Sequence, residues 1–205
     1  LLRLLSKIKF VLGLSISGFM SFYFEKKMAQ YLKTYSRLER LGLSLREFSS
    51  TEVSPNQKNI ILNLKNLKHL SLRYSMITMN LEGQLDKLIS GLFVLKKLKG
   101  IEILSGTQKN ILVDKNLIYA LSQLPELEEL NLSIRSPISP GPNNENNKLL
   151  DCLSLNLKKL GLVLPGIDKF SSDYFLETLA QGSKFESIAL QLNENVNLRS
   201  LFKVR

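Results

Sequence analysis

The sequence predicts an α/β fold of about seven stacked strand–helix repeats, with a parallel inner sheet and the helices outside. Three observations predict it. A short apolar phrase returns along the chain, as in Leu38-x-x-Leu41-x-Leu43-x-Leu45 and Leu127-x-x-Leu130-x-Leu132-x-Ile134. Between phrases the apolar spacing changes from alternate residues, which marks a strand with one buried face, to the spacing of a helix. Leucine makes up about a fifth of the residues, well above ordinary usage.

Taken in order, residues 1–7 read as the tail of a preceding helix. The first and weakest phrase is Leu12-x-Leu14-x-Ile16, followed by a helix over 19–35. The uncharged run 10–24 also allows a membrane span or signal segment, although it is shorter than the roughly 20 apolar residues that a span requires and falls in register with the repeats. The next phrases are the one at Leu38, then Leu67-x-x-Leu70-x-Leu72-x-Tyr74 and Leu98-x-x-Ile101-x-Ile103. After the phrase at Leu127 come Leu157-x-x-Leu160-x-Leu162-x-Leu164 and Phe185-x-x-Ile188-x-Leu190-x-Leu192. With anchors at Leu12, Leu41, Leu70, Ile101, Leu130, Leu160 and Ile188, the spacings are 29, 29, 31, 29, 30 and 28 residues. Helical faces are read at Leu81, Leu85, Leu88, Ile89 and Leu92, at Leu117, Leu121 and Leu124, and at Tyr174, Phe175 and Leu179. A tight turn is placed at Pro125. No single strand–helix pair can cover its own apolar face, so the repeats must stack.

The phrases resemble the leucine-rich repeat family, in its longer ribonuclease-inhibitor-like class, over residues 8–202. The resemblance implies a horseshoe-shaped solenoid, with repeats near 8–37, 38–66, 67–97, 98–126, 127–156, 157–184 and 185–205. It also implies a protein-binding role, because that class consists largely of such binders. The family places Asn or Cys shortly after each strand, where it ladders to backbone. Arg46, Ser75 and Arg135 stand there in this chain, so an irregular turn is expected. The continuous repeat makes residues 1–205 one domain. The chain begins with Leu1 and lacks polar capping units, which suggests a fragment of a longer protein or ends packed on something else.

Composition narrows the function. The net charge is +10 and the pI about 9.7, which suits either nucleic acid or an acidic protein surface. Lysines that merely solvate helices, as at Lys26-Lys27, Lys96-Lys97 and Lys158-Lys159, explain the same balance. Cys152 is the only cysteine. It can form no internal disulfide, and reducing surroundings, cytoplasmic or nuclear, follow naturally. His69 is the only histidine. It is read on the third strand and Cys152 on a helix three repeats later, so the two cannot meet as a nucleophile and base. Ser105-Gly106-Thr107-Gln108-Lys109 lacks the glycine pattern of a phosphate loop. With no metal-ligand spacing either, no enzyme, cofactor or small-molecule substrate is expected. Asn131-Leu132-Ser133 spells a glycosylation acceptor but falls in a strand, so it is read as chance.

Strand alternation assigns the outward residues of the inner sheet. The candidate partner-binding residues on this concave face are Arg40, Arg46, His69, Arg73, Glu102, Glu129, Asn131, Arg135 and Lys159. The middle row is read as Gly13, Gly42, Ser71, Glu102, Asn131, Gly161 and Ala189. These small residues either admit another chain close to the sheet or only relieve crowding. Arg40, Arg46, His69 and Arg73 make one end basic, while Glu102 and Glu129 make the middle acidic. Mixed sign fits protein recognition better than a phosphate track, and the face has no aromatic residues for base stacking. Polar connections at 48–59, 105–109 and 136–148 follow strands and would crowd one rim, as contact loops or as tolerated insertions. The expected function is a non-catalytic scaffold within a larger assembly, with no membrane association. The alternative is a basic RNA-associated subunit of a ribonucleoprotein.

Overall fold

In a computed structural model, the recurring phrases become one open, wholly parallel sheet. The structure describes residues 11–18, 32, 35–45, 61–74, 91–105, 111–112, 115–135, 157–164 and 185–192. The strands are β1 (Gly13–Gly18), β2 (Arg40–Leu45), β3 (His69–Tyr74), β4 (Gly100–Ser105), β5 (Ile111–Leu112), β6 (Glu129–Arg135), β7 (Lys159–Leu164) and β8 (Ser187–Leu192). They lie in the order β1-β2-β3-β4-β6-β7-β8, with the short β5 paired beside the end of β6. Each phrase therefore supplies one strand, and successive phrases are neighbours in space. β5, only two residues long, shows no periodicity in the sequence.

The register corrects one expectation. Leu14, not Leu12, pairs with Leu41, and Ile16 pairs with Leu43. The first anchor is thus two residues later, and the first spacing is 27 residues (from 14 to 41). A shift of two keeps every side chain on the same face, so alternation alone could not detect it. The full phrase would have done so, because Val11-x-x-Leu14-x-Ile16 matches Leu38-x-x-Leu41-x-Leu43. Accordingly, Leu12 is 55% exposed, whereas Val11 and Leu14 pack against the core. Part of the uncharged run 10–24 is therefore β1. Among the described residues, no helix is long and apolar enough to cross a membrane.

The sheet's inner face is built from two apolar rows. One runs Leu14, Leu41, Leu70, Ile101, Leu130, Leu160 and Ile188; the other runs Ile16, Leu43, Leu72, Ile103, Leu132, Leu162 and Leu190. From Leu41 to Leu160 and from Ile16 to Leu162 every member is buried. Burying such a side chain stabilises by about 1.5–3 kcal/mol.

The approach to each strand repeats a second pattern. Apolar residues fall three apart, as in Ile61, Leu64, Leu67 and Leu70, in Leu92, Leu95, Leu98 and Ile101, and in Leu121, Leu124, Leu127 and Leu130. Their amides close three-residue turns: Leu95 donates to Leu92 at 2.9 Å and Leu98 to Leu95 at 3.0 Å, and the equivalent bonds precede β2, β3 and β6. A spacing of three is the period of a 3-10 helix, and Ile61–Asn63 and Leu92–Val94 adopt it. The turn expected at Pro125 is one of these, with Leu127 N–H donating to Leu124 O at 3.3 Å.

Among the described residues, the α-helix α1 (Lys115–Ser122) buries Leu117 and Leu121, as the spacing predicts, and also Ala120. Its Tyr119 meets Phe93 edge-on, with ring centroids 6.0 Å apart. Of the helix expected over 19–35 only Leu32, helical and buried, and Tyr35, buried and not helical, are among the described residues. The helical faces read at 81–90 and 174–179 lie outside the described residues, as do the connections at 48–59, 106–109 and 136–148.

Candidate functional site

The sheet's other face is open. Its geometry is set at the strand starts, where one carbonyl accepts two amides of the next strand. Glu39 O accepts from Lys68 (2.7 Å) and His69 (2.9 Å), and Lys68 O from Lys99 (2.7 Å) and Gly100 (2.9 Å). Leu12, Lys99, Glu128 and Lys158 repeat the arrangement. This shared acceptor fixes the register, and the register decides which outward side chains meet.

Three outward rows result. The first holds Gly13, Arg40, His69, Gly100, Glu129, Lys159 and Ser187. The second holds Ser15, Gly42, Ser71, Glu102, Asn131, Gly161 and Ala189, so Ser15 takes the place expected for Gly13. The third includes Ser44, Arg73, Leu104, Ser133, Val163 and Gln191. Ser133 departs from the expected open surface: it is 1% exposed.

Glu102 is the centre of the face. Its carboxylate accepts from Ser71 Oγ at 2.6 Å, Arg73 Nε at 2.8 Å and Asn131 Nδ2 at 3.3 Å. These bonds hold its pKa below the usual carboxylate value, the bond from Arg73 contributing most; partial burial opposes them. The same pairing raises the pKa of Arg73. Asn131 in turn lies over Gly161, and His69 lies over Gly100. Further along the face, Lys159 Nζ donates to Glu129 Oε1 at 2.6 Å.

The basic end and acidic middle expected from the sequence are therefore not separate fields. Arg73 is bound to Glu102 and Glu129 to Lys159. Arg40 is exposed and, among the described residues, makes no ion pair. Arg135 closes β6, where its backbone is in register with Leu112, and Arg46 lies outside the described residues. Ser71 and Gly161, read from the sequence as small members of the middle row and not as candidate binding residues, complete the network. Their offsets from Glu102 and Asn131 equal the repeat, which is the signal that locates them.

The rim where the strands begin is also paired. Lys68 reaches Glu39 at 2.8 Å and Lys158 reaches Glu128 at 3.0 Å, and each lysine lowers the pKa of its glutamate. Lys96 and Lys97 do not solvate a helix. They stand on a turn and donate to Gln123 O and Asn66 Oδ1 of neighbouring repeats. Asn66 also donates to Ser36 O at 2.7 Å, so it joins three successive repeats.

The Glu102 pairing has a pH signature. Its folded pKa lies below its unfolded one, so its contribution is fully present above the unfolded value of about 4.5 and is lost as pH falls through the folded value. Glu102→Gln should lower stability by about 1 kcal/mol at pH 7. The gap to wild type should close below about pH 4.5 in thermal melts. A gap that does not change with pH would mean that the carboxylate is not held this way.

No protein-family model matches the chain, and no curated protein matches it.

Proposed function

We propose that the chain is a leucine-rich-repeat solenoid of the ribonuclease-inhibitor-like class that serves as a non-catalytic scaffold, holding a protein partner on the open face of its sheet. The observation that carries this reading is the cross-strand network around Glu102. Side chains from β3, β4 and β6 are fixed there in one arrangement, on a face whose neighbouring positions are small. Such preorganisation reduces the ordering cost of binding. Arg40, exposed on β2 and without an ion pair among the described residues, supplies positive charge on the same face, and arginine is over-represented among residues that dominate binding energy.

The RNA reading draws on the net charge of +10. The pairing of Lys68, Arg73, Lys158 and Lys159 with carboxylates weighs against it, because a phosphate track needs cations free to release counterions.

The test is co-purification from cell extract with Arg40→Glu, Arg46→Glu and Arg73→Gln combined. Position 73 is made neutral because the Glu102 carboxylate lies 2.8 Å away. Partners that use this face should be recovered about tenfold less, and Lys65→Glu on an exposed turn should leave recovery intact. Equal recovery by the triple variant and wild type would remove the open face as the binding surface. Filter binding that falls steeply with salt would favour RNA instead.

A further inference from the structure

On the open face, the side chains of β2 and β3 lean apart. Ser71 Oγ and Arg73 Nε of β3 both donate to Glu102 on β4, at 2.6 and 2.8 Å. His69 leans the same way: a Cβ on Gly100 of β4 would stand 2.5 Å from its Nδ1. All three outward side chains of β3 are thus drawn towards β4. On β2 the lean is reversed. Arg40 lies over Gly13 of β1, where a Cβ would stand 3.4 Å from its Nε. The next outward position of β2 is Gly42, which has no side chain, and the third is Ser44. The backbones of β2 and β3 remain paired throughout, with Arg40 beside His69, Gly42 beside Ser71 and Ser44 beside Arg73. A furrow therefore opens above these two strands, with Gly42 as its floor. From position 40 to position 44 it spans about 13 Å, the length of about four extended residues.

The charge in the furrow is unmet. Arg73 is paired with Glu102 and Lys159 with Glu129, whereas Arg40 has no carboxylate partner among the described residues. Glu39, next to it in sequence, is held by Lys68 at 2.8 Å. Ser15 Oγ would stand 3.1 Å from a Cβ on Gly42, and among the described residues it makes no hydrogen bond. One free guanidinium and one free hydroxyl therefore flank the floor.

We infer that the furrow seats an extended acidic segment of the protein partner, with one Asp or Glu carboxylate over Gly42 held by the Arg40 guanidinium and the Ser15 hydroxyl. This rests on the open face being the surface that binds, and it names what that face recognises. A guanidinium matches a carboxylate in shape as well as charge, through two parallel hydrogen bonds. Sequence and register supply the clearance, because Gly42 is the one outward position of β2 without a side chain. A phosphate group carries close to two negative charges, and the second would need Arg73 to leave Glu102. An RNA strand needs a row of free cations and aromatic rings for its bases, and the furrow has neither.

NMR titration of the whole chain with a capped tetrapeptide, Ser-Glu-Ser-Gly, tests the assignment. Peptide up to about 10 mM suffices to detect a Kd of about 1 mM. The amide signals of Ser15 and Gly42 and the Nε–H signal of Arg40 should shift together. A peptide with Gln in place of Glu should bind at least about tenfold more weakly, as should the Arg40→Gln variant, since each removes a charge-assisted bond. Gly42→Val keeps the charge but fills the floor, and should weaken binding by about tenfold. Circular dichroism checks its folding, and Gly42→Ala replaces it if the fold is lost. No shift at Gly42, equal binding of the Glu and Gln peptides, or a folded Gly42 variant that binds like wild type would overturn the inference. Tighter binding of a phosphoserine peptide would overturn it in favour of phosphate. These outcomes leave the open face itself standing, because that reading fails only if the triple variant recovers its partners as wild type does.

Discussion

Leu98→Ala should lower the stability of the fold by about 2–5 kcal/mol, the usual cost of emptying a fully buried leucine site. Leu98 is 0% exposed, and its amide closes the turn that starts β4 by donating to Leu95 O at 3.0 Å. It occupies the repeat position of Leu67 and Leu127, which are also buried. A stack holds each repeat only through its neighbours, so a cavity here weakens the junctions on both sides. Urea unfolding followed by circular dichroism should show a lower midpoint and a broader transition as the two halves lose cooperativity. Phe185→Ala, at a partly buried position two residues before β8, should cost less and leave the main transition sharp. Leu12→Ala, at a 55% exposed site, should change stability by no more than about 0.5 kcal/mol. A Leu98→Ala cost below about 1 kcal/mol would contradict a core shared between repeats.

The contrast between Leu98 and Leu12 also shows what the sequence makes legible. The strand phrase has four apolar contacts in a fixed pattern, and wherever the whole pattern is present it gives the strand and its register. At β1 only part of it was read. Leu12 is the right residue type at the right parity, and only the missing partner three residues earlier separates it from Leu14. The turns before the strands were equally readable, because a spacing of three excludes an α-helix running unbroken into the strand. β5 was not, since two residues hold no periodicity.

On the open face, the outward residues whose exposure is described are accessible except for Gly100 and Ser133, which are buried. The ion pairs needed a further step. Residues 29 to 31 apart become neighbours only once the register is exact. The sequence therefore shows the charges of Arg73, Glu102, Glu129 and Lys159 but hides their mutual neutralisation.

The hydrogen bonding of Glu102 rests in part on a glycine, which makes Gly161→Ala the second informative substitution. A Cβ at position 161 would stand 2.6 Å from Asn131 Oδ1, 2.9 Å from its Cγ and 3.4 Å from its Cβ. Contacts under 3 Å cannot persist, so the amide of Asn131 must swing away. Its position over Gly161 is what lets Nδ2 reach Glu102 Oε2 at 3.3 Å. The substitution therefore combines overpacking, about 1–3 kcal/mol, with the loss of one bond to a partly buried carboxylate. The lower backbone entropy of alanine returns about 0.5–1 kcal/mol of this. Gly42→Ala is the control. Its Cβ would meet Ser15 Oγ at 3.1 Å, and a hydroxyl can turn aside, so that variant should be neutral or slightly stabilising. In a double-mutant cycle, Asn131→Ala should relieve Gly161→Ala by about 1 kcal/mol, since the clash and the bond involve the same side chain. If Gly161→Ala is as harmless as Gly42→Ala, or if the two changes are simply additive, Asn131 does not lie over β7. The fixed carboxylate at the centre of the proposed binding face would then lose one of its three donors.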